Sequence, residues 1–253
     1  IGDLQQIVNR LAEQAAKSID FEALLELANG ATPLKYNKPE IEVIGHPKIA
    51  VAQDKAFCFY YQDALDLFAD LGATLVPFSP TYDEHLPECA GLFLGGGYPE
   101  LYAKELEANT TMLADIKAHI EAHKPCYAEC GGFMYLLEGY KDDNNSYKWV
   151  GAIKGESALT KKLARFGYIH LTAQKDNLLC KAGEKINAHE CHYSDSTNNG
   201  SCFSVKKASG RGAWECGNAS STLYAGYPHI HLWGNKDFAI NFVKACIKKK
   251  HSL

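Results

Sequence analysis

The sequence predicts an α/β protein built on a mostly parallel, doubly wound sheet, with an N-terminal helical linker. Three observations predict it. Strand-like and helix-like segments alternate from residue 47 onward, the rhythm of parallel strands joined by crossover helices. Two of the apolar strands run into glycine-rich corners, where sheets of this kind gather their ligands. Two amphipathic helical segments and a proline-bearing stretch precede the first strand.

In chain order, Leu4, Ile7, Val8, Leu11 and Ala15 fall at helical spacing in LQQIVNRLAEQAAK. Asp20 is placed to cap a second helix, FEALLELAN, with Gly30 in its C′ position. ATPLKYNKPE, with two prolines, reads as extended. The expected division is a helical linker over 1–46 and one domain over 47–253. KIAVAQ, ATLVPF, AGLFL and PCYAEC read as strands. Between and after them, FYYQDALDLFADLG, NTTMLADIKAHIEAHK and GGFMYLLEG read as helices, the last closed by Gly139.

The second half is more strand-like. RFGYIHLTAQ and INAHECHYSD read as strands, TNNGS as a turn with CFSVKKA pairing across it, and Gly210–Gly212 as another turn. STLYAGYPHIHLWGN reads as a strand and then a loop, and KDFAINFVKACIKKK as a closing helix. Its Lys248–Lys250 end is expected to be solvated and to interact with the helix dipole.

Composition excludes several classes. The chain has 253 residues, 46% apolar and 22% charged, ordinary for a globular protein with a sizeable core. A net charge of −4 argues against nucleic acid or an anionic membrane as partner. No apolar run reaches the roughly 18 residues of a spanning helix, and no signal peptide is read. Nine cysteines with no CxxC pair read as reduced thiols of a cytoplasmic protein, and Cys126/Cys130 lacks the second pair that zinc needs. No metal is expected. The chain opens on Ile1, which reads as a processed product or a piece of something longer.

The chemistry gathers at the strand ends. In PCYAECGGFMY a strand turns sharply into a helix at Cys130, and the glycines behind it permit a tight backbone. A helix N-terminus favours the thiolate and offers N–H donors to an oxyanion. Cys130 therefore reads either as a nucleophile or as a buried cysteine beside a phosphate-binding turn. Gly95, Gly96 and Gly97 follow the strand LFL and suit an oxyanion hole, a phosphate or a plain tight turn. They lack both the GxGxxG spacing and the Gly-Lys-Ser/Thr ending. His229 and His231, in YPHIHLWGN, lie past a strand where a base could reach a neighbouring strand end. Alternation puts both rings on one face if the segment is extended. In HECHYS, Glu190, His192 and Ser194 alternate onto one face, opposite His189, Cys191 and Tyr193, and ligand recognition is the expected use.

With these pieces in order, the chain resembles a class I glutamine amidotransferase domain, and within that class the C-terminal glutaminase half of the cobyrinate a,c-diamide synthase family. The matching stretches are LFLGGGYPE, YAECGGFMYL, GYIHLTA, AHECHYS and YPHIHLWGN, in the family's order across roughly residues 47–245. The resemblance implies a flavodoxin-like sheet and a Cys130 that attacks the side-chain amide of glutamine, forming a γ-glutamyl thioester and releasing ammonia. It implies His229 as the base, with His231 the alternative, and Gly96 or Gly97 with Gly131 as oxyanion donors. Glu190, His192 and Tyr193 would line the entry of glutamine or acceptor.

The resemblance further implies an ATP-dependent synthetase half, with ATP and Mg, that activates carboxylates of a corrinoid acceptor. Residues 1–46 would be the link from that half, and no cofactor is expected in this domain. One departure stands out. His231 occupies the position where many class I glutaminases carry a glutamate that orients the base, which leaves open what orients His229. The competing readings are a related amidotransferase with another carboxylate acceptor (a nickel tetrapyrrole or a cell-wall precursor), a binding module that has lost activity, and an unrelated cysteine hydrolase.

Overall fold

The computed structural model describes residues 3–37 and 39–248. It separates into two compact units, Ile1–Glu40 and Ile41–Leu253. The first holds helices α1 (Leu4–Ser18) and α2 (Phe21–Asn29). Asp20 caps α2 by accepting the Ala23 N–H at 3.0 Å. Gly30 closes it at φ −79°, in the right-handed region. Neither helix buries a residue, so the apolar stripe Leu4, Ile7, Val8 and Leu11 stays exposed.

The second unit is organised by six strands: β1 (Lys48–Ala52), β2 (Thr74–Phe78), β3 (Gly91–Leu94), β4 (Cys126–Glu129), β13 (Asn218–Ala219) and β14 (Leu223–Gly226). Their order is β13-β14-β4-β3-β1-β2, parallel except for β13. Pro77 sits in β2 at the sheet edge, where its missing N–H costs no ladder bond on the open side. Both faces are covered, which is why β1, β3 and β4 read as unbroken apolar runs. Ile49, Val51, Phe93 and Tyr127 face α3 (Gln62–Asp70) and α7 (Asp237–Lys248) through Phe68 and Phe242. The alternate residues Ala50, Leu92, Leu94 and Ala128 face α4 (Ala103–Ala108), α5 (Thr110–Glu121) and α6 (Gly131–Leu136).

Two smaller sheets complete the unit. One runs β12-β11-β8-β9-β15 and is antiparallel, from Ala213–Cys216, Phe203–Lys207, Arg165–Ala173, Lys185–His192 and His229–Ile230. Here β11 pairs with β8 and β12, not across the TNNGS turn as expected, because β8 and β15 already occupy both edges of β9. The other runs β10-β7-β5-β6, from Ser194–Ser196, Ile153–Leu159, Leu137–Lys141 and Ser146–Lys148. Helix α6 therefore stops at Leu136 and Gly139 lies in a strand. A Cβ at Gly139 would stand 2.3 Å from the Tyr147 carbonyl oxygen, so the position serves strand packing, not helix closure. Of the Lys248–Lys250 run, the side chains and the last two residues lie outside the described residues.

Candidate active site

Three strand ends meet at one point. Strands β3, β4 and β14 are neighbours, and Gly226 lies in register with Glu129, the last residue of β4. Cys130 comes next, with φ 47° and ψ −107°, a positive φ that side chains other than glycine rarely adopt. The surroundings impose it. The Cys130 N–H donates to Gly226 O at 2.8 Å, its carbonyl accepts from Met134 at 2.9 Å, and Gly132 N–H donates to Gly95 O at 2.9 Å. A Cβ at Gly132 would lie 2.2 Å from Leu94 O, so only glycine lets the corner close on β3. The thiol is thereby held on a strained elbow at the carboxyl edge of the sheet.

His229 reaches this thiol from a different sheet. After β14 the chain turns through Tyr227 and Pro228 into β15, which pairs with the edge of β9. The imidazole is buried, tilted against Phe59 at 5.1 Å, and its Nδ1 stands 3.7 Å from Oε2 of Glu129. Burial alone would lower its pKa, yet its contacts with Cys130 and Glu129 prevail and push it up to about 10. Both contacts favour the protonated ring.

The glycines divide the remaining work. Gly95 is structural: its N–H donates to the Tyr60 hydroxyl at 2.9 Å and its carbonyl receives Gly132. Gly96 forms the wall behind the His229 ring, since a Cβ there would lie 2.5 Å from His229 Cε1. Gly97 N lies 3.2 Å from where a Cβ of Gly131 would be, so the two peptide nitrogens sit close together beside Cys130. Among the described residues neither N–H has a protein acceptor, which leaves a pair of donors for an oxyanion. Helix α6 has only six residues, so local N–H groups, not a long helix dipole, supply the positive potential. Gly96→Ala should displace the imidazole and slow turnover by roughly 100-fold with the fold retained. Steady-state kinetics alongside a thermal melt would check this, and an unchanged kcat would remove Gly96 from the site.

The chain matches the model of the CobB/CobQ-like glutamine amidotransferase domain over residues 48–237. It belongs to that family. Among curated relatives, it is 39% identical to a cobyrinate a,c-diamide synthase of Caldanaerobacter subterraneus subsp. tengcongensis, over 96% of this chain and 55% of the relative. A cobyrinate a,c-diamide synthase of Clostridium tetani is 38% identical over 98% of this chain and 56% of its own length. The chain thus spans about half the length of the curated relatives it matches. In structure it is similar to PurLQS from Thermotoga maritima, with a TM-score of 0.53 and 16% identity, over 79% of this chain and 97% of that one. That likeness shows the fold, the flavodoxin-like arrangement of class I glutamine amidotransferases.

Within this CobB/CobQ-like domain the other expected site residues separate. His231 is half exposed and turns to Asp63, with Nε2 3.5 Å from Oδ2. The expected shared face fails because β15 ends at Ile230 and His231 caps the following 3-10 turn. Glu190 and His192 do share a buried face of β9. Tyr227 stacks on His192 at 3.9 Å. Glu190 Oε2 and His192 Nε2 are buried without a partner among the described residues. Tyr193 points out of this face and is exposed, and its carbonyl accepts the Thr160 N–H at 2.8 Å. Sequence reasoning missed Glu129, Phe59, Tyr60 and Tyr227. The one available signal was a glutamate inside the apolar run CYAE, because a buried carboxylate needs partners.

Proposed function

We propose that this domain hydrolyses glutamine and supplies the ammonia to an ATP-dependent synthetase half, with Cys130 as nucleophile. The observation that carries the reading is the strained Cys130 elbow, flanked by the buried His229 imidazole and by the two N–H groups of Gly97 and Gly131. The Cys130 thiolate attacks the carboxamide carbon, and the carbonyl oxygen takes the negative charge between the two N–H donors. As the C–N bond breaks, His229 gives its proton to the leaving nitrogen, so ammonia departs and a γ-glutamyl thioester remains. Neutral His229 then takes a proton from water, which attacks the thioester. Glutamate leaves and the thiolate–imidazolium pair is restored. Glu190 Oε2 and His192 Nε2 are acceptors suited to the substrate's ammonium group.

The relatives' names support cobyrinate as the acceptor, with amidation of its a and c carboxylates in cobalamin biosynthesis. ATP and Mg belong in this reading to the synthetase half, since this chain carries no Gly-Lys-Ser/Thr loop. The complex is placed in the cytoplasm, where the thiols stay reduced.

Treatment with a diazo-ketone glutamine analogue tests the reading, and peptide mass tells which of nine cysteines reacts. One adduct on the Cys130 peptide, blocked by glutamine, is the expected result. His229→Asn should slow its formation by on the order of 100-fold, and His231→Asn should leave it within about threefold. No adduct even with a cobyrinate synthetase half present would sink the glutaminase reading, and equal losses at the two histidines would sink the assignment of the base.

A further inference from the structure

We infer that Glu129 is the positioning residue of the site: its carboxylate, from the residue immediately before the nucleophile, fixes the ring and tautomer of His229. The inference rests on the glutaminase reading and supplies the acid that the position of His231 lacks. Its geometry is specific. Glu129 and Tyr127 alternate onto one face of β4, and the Tyr127 hydroxyl donates to Glu129 Oε1. The same oxygen accepts the Ile230 N–H at 2.9 Å, from the residue next to His229. Two donors thus consume Oε1 and lock the carboxylate, leaving Oε2 aimed at His229 Nδ1 at 3.7 Å. Apo sites commonly hold such pairs slightly long, and the contact tightens when charge develops.

The consequence is a choice of nitrogen. A carboxylate beside Nδ1 keeps a proton there, so Nε2 is the nitrogen left to exchange a proton with Cys130 and the leaving group. The backbone adds to this, because Ile230 N–H ties the β15 segment carrying His229 to the β4 end carrying Cys130. One side chain therefore sets both the ring orientation and the distance between two sheets. Other titratable groups near His229 are the Cys130 thiol and two imidazoles, His189, its partner across β9 and β15, and His192. Neither imidazole carries the negative charge with which a carboxylate holds a proton on Nδ1.

Glu129→Gln is the test, because its amide still accepts from Ile230 and Tyr127 but presents N–H to Nδ1, which forces the opposite tautomer. The protein is labelled with 13C at histidine Cε1, and the His229 signal is assigned through His229→Asn. In the wild type this signal should stay that of an imidazolium to above about pH 9, and in Glu129→Gln its midpoint should fall, with only the Cys130 contact left to hold it up. Adduct formation at Cys130 should slow by on the order of 100-fold with glutamine affinity within about threefold, and Glu129→Asp should recover part of the rate. A His229 midpoint and adduct rate unchanged in Glu129→Gln would overturn the inference.

Should Glu129→Gln fail to fold, Tyr127→Phe decides. It releases one of the two donors on Oε1 and should lower the midpoint and rate in the same direction, and no change in either would overturn the inference. A wild-type protein that forms no glutamine-blockable adduct defeats the glutaminase reading instead. The His229 titration reports on Glu129 in that case too.

Discussion

Cys130→Ala and Cys130→Gly should both abolish adduct formation and glutamine turnover, and the glycine variant should be the more stable of the two. Both variants lose the same buried thiol and differ in the backbone and in one buried Cβ, worth about 0.8 kcal/mol. At φ 47° and ψ −107° a Cβ is strained, a cost of roughly 1–3 kcal/mol. Glycine removes that strain but gives up roughly 0.5–1 kcal/mol of chain entropy in the unfolded state. A net advantage of about 0.5 kcal/mol for glycine follows, or about 1–2 °C in Tm for a domain of this size. Chemical denaturation of the two variants measures it. Equal or reversed stabilities would mean that the elbow stores no strain, and residual turnover in either would mean that Cys130 is not the nucleophile. The expected pairing of lost activity with gained stability is a sign that the strain serves the chemistry, since it holds the thiol at a corner that the fold alone would fill with glycine.

Local patterns carried most of the site and none of the pairing. Cys130, the Gly95–Gly97 run and His229 could be named because each sits in a short motif whose backbone requirement shows in the sequence. The central strands were legible for the same reason: burial on both faces makes β1, β3 and β4 continuous apolar runs. Glu129 could not be assigned a role. Its partners are Tyr127, two residues back on the same strand face, and Ile230, which sits 101 residues away and arrives only because β14 pairs with β4 before the chain crosses to β15. The separation of His229 from His231 was hidden too, because alternation holds only while a strand continues and this one ends between them. Gly139 misled because LLEG continues a helical pattern locally, while the competing partner, Tyr147, is supplied by a later strand.

The buried face of β9 should reveal itself in the pH dependence of stability once one of its two titrating groups is removed. His192 is neutral in the fold: burial lowers its pKa to about 4, and its Nδ1 donates to Ser194 O at 2.6 Å. The unfolded chain protonates it near the ordinary value of about 6.5. Between those values the unfolded state binds more protons, so its contribution rises as pH rises from about 4 to 6.5. Glu190 does the reverse. Burial raises its pKa to about 7, against the pull of Arg165, Trp214 and Lys207. The folded state therefore binds more protons between the ordinary glutamate value and 7, and stability falls as pH rises through that window. Each shift corresponds to about 3 kcal/mol, and the two slopes oppose each other over nearly the same range. The wild type should therefore show little pH dependence from this pair between about pH 4.5 and 6.5. Glu190→Gln should expose the rising slope and be the more stable protein at pH 8, where the ionised, buried carboxylate of the wild type is a burden. His192→Phe keeps an aromatic ring to stack on Tyr227 and should expose the falling slope. Urea midpoints across pH 4 to 8 for the three proteins decide it. Parallel profiles would mean that neither group titrates differently in the fold, and slopes of opposite sign in the two variants would establish that the charge states on this face are set by burial.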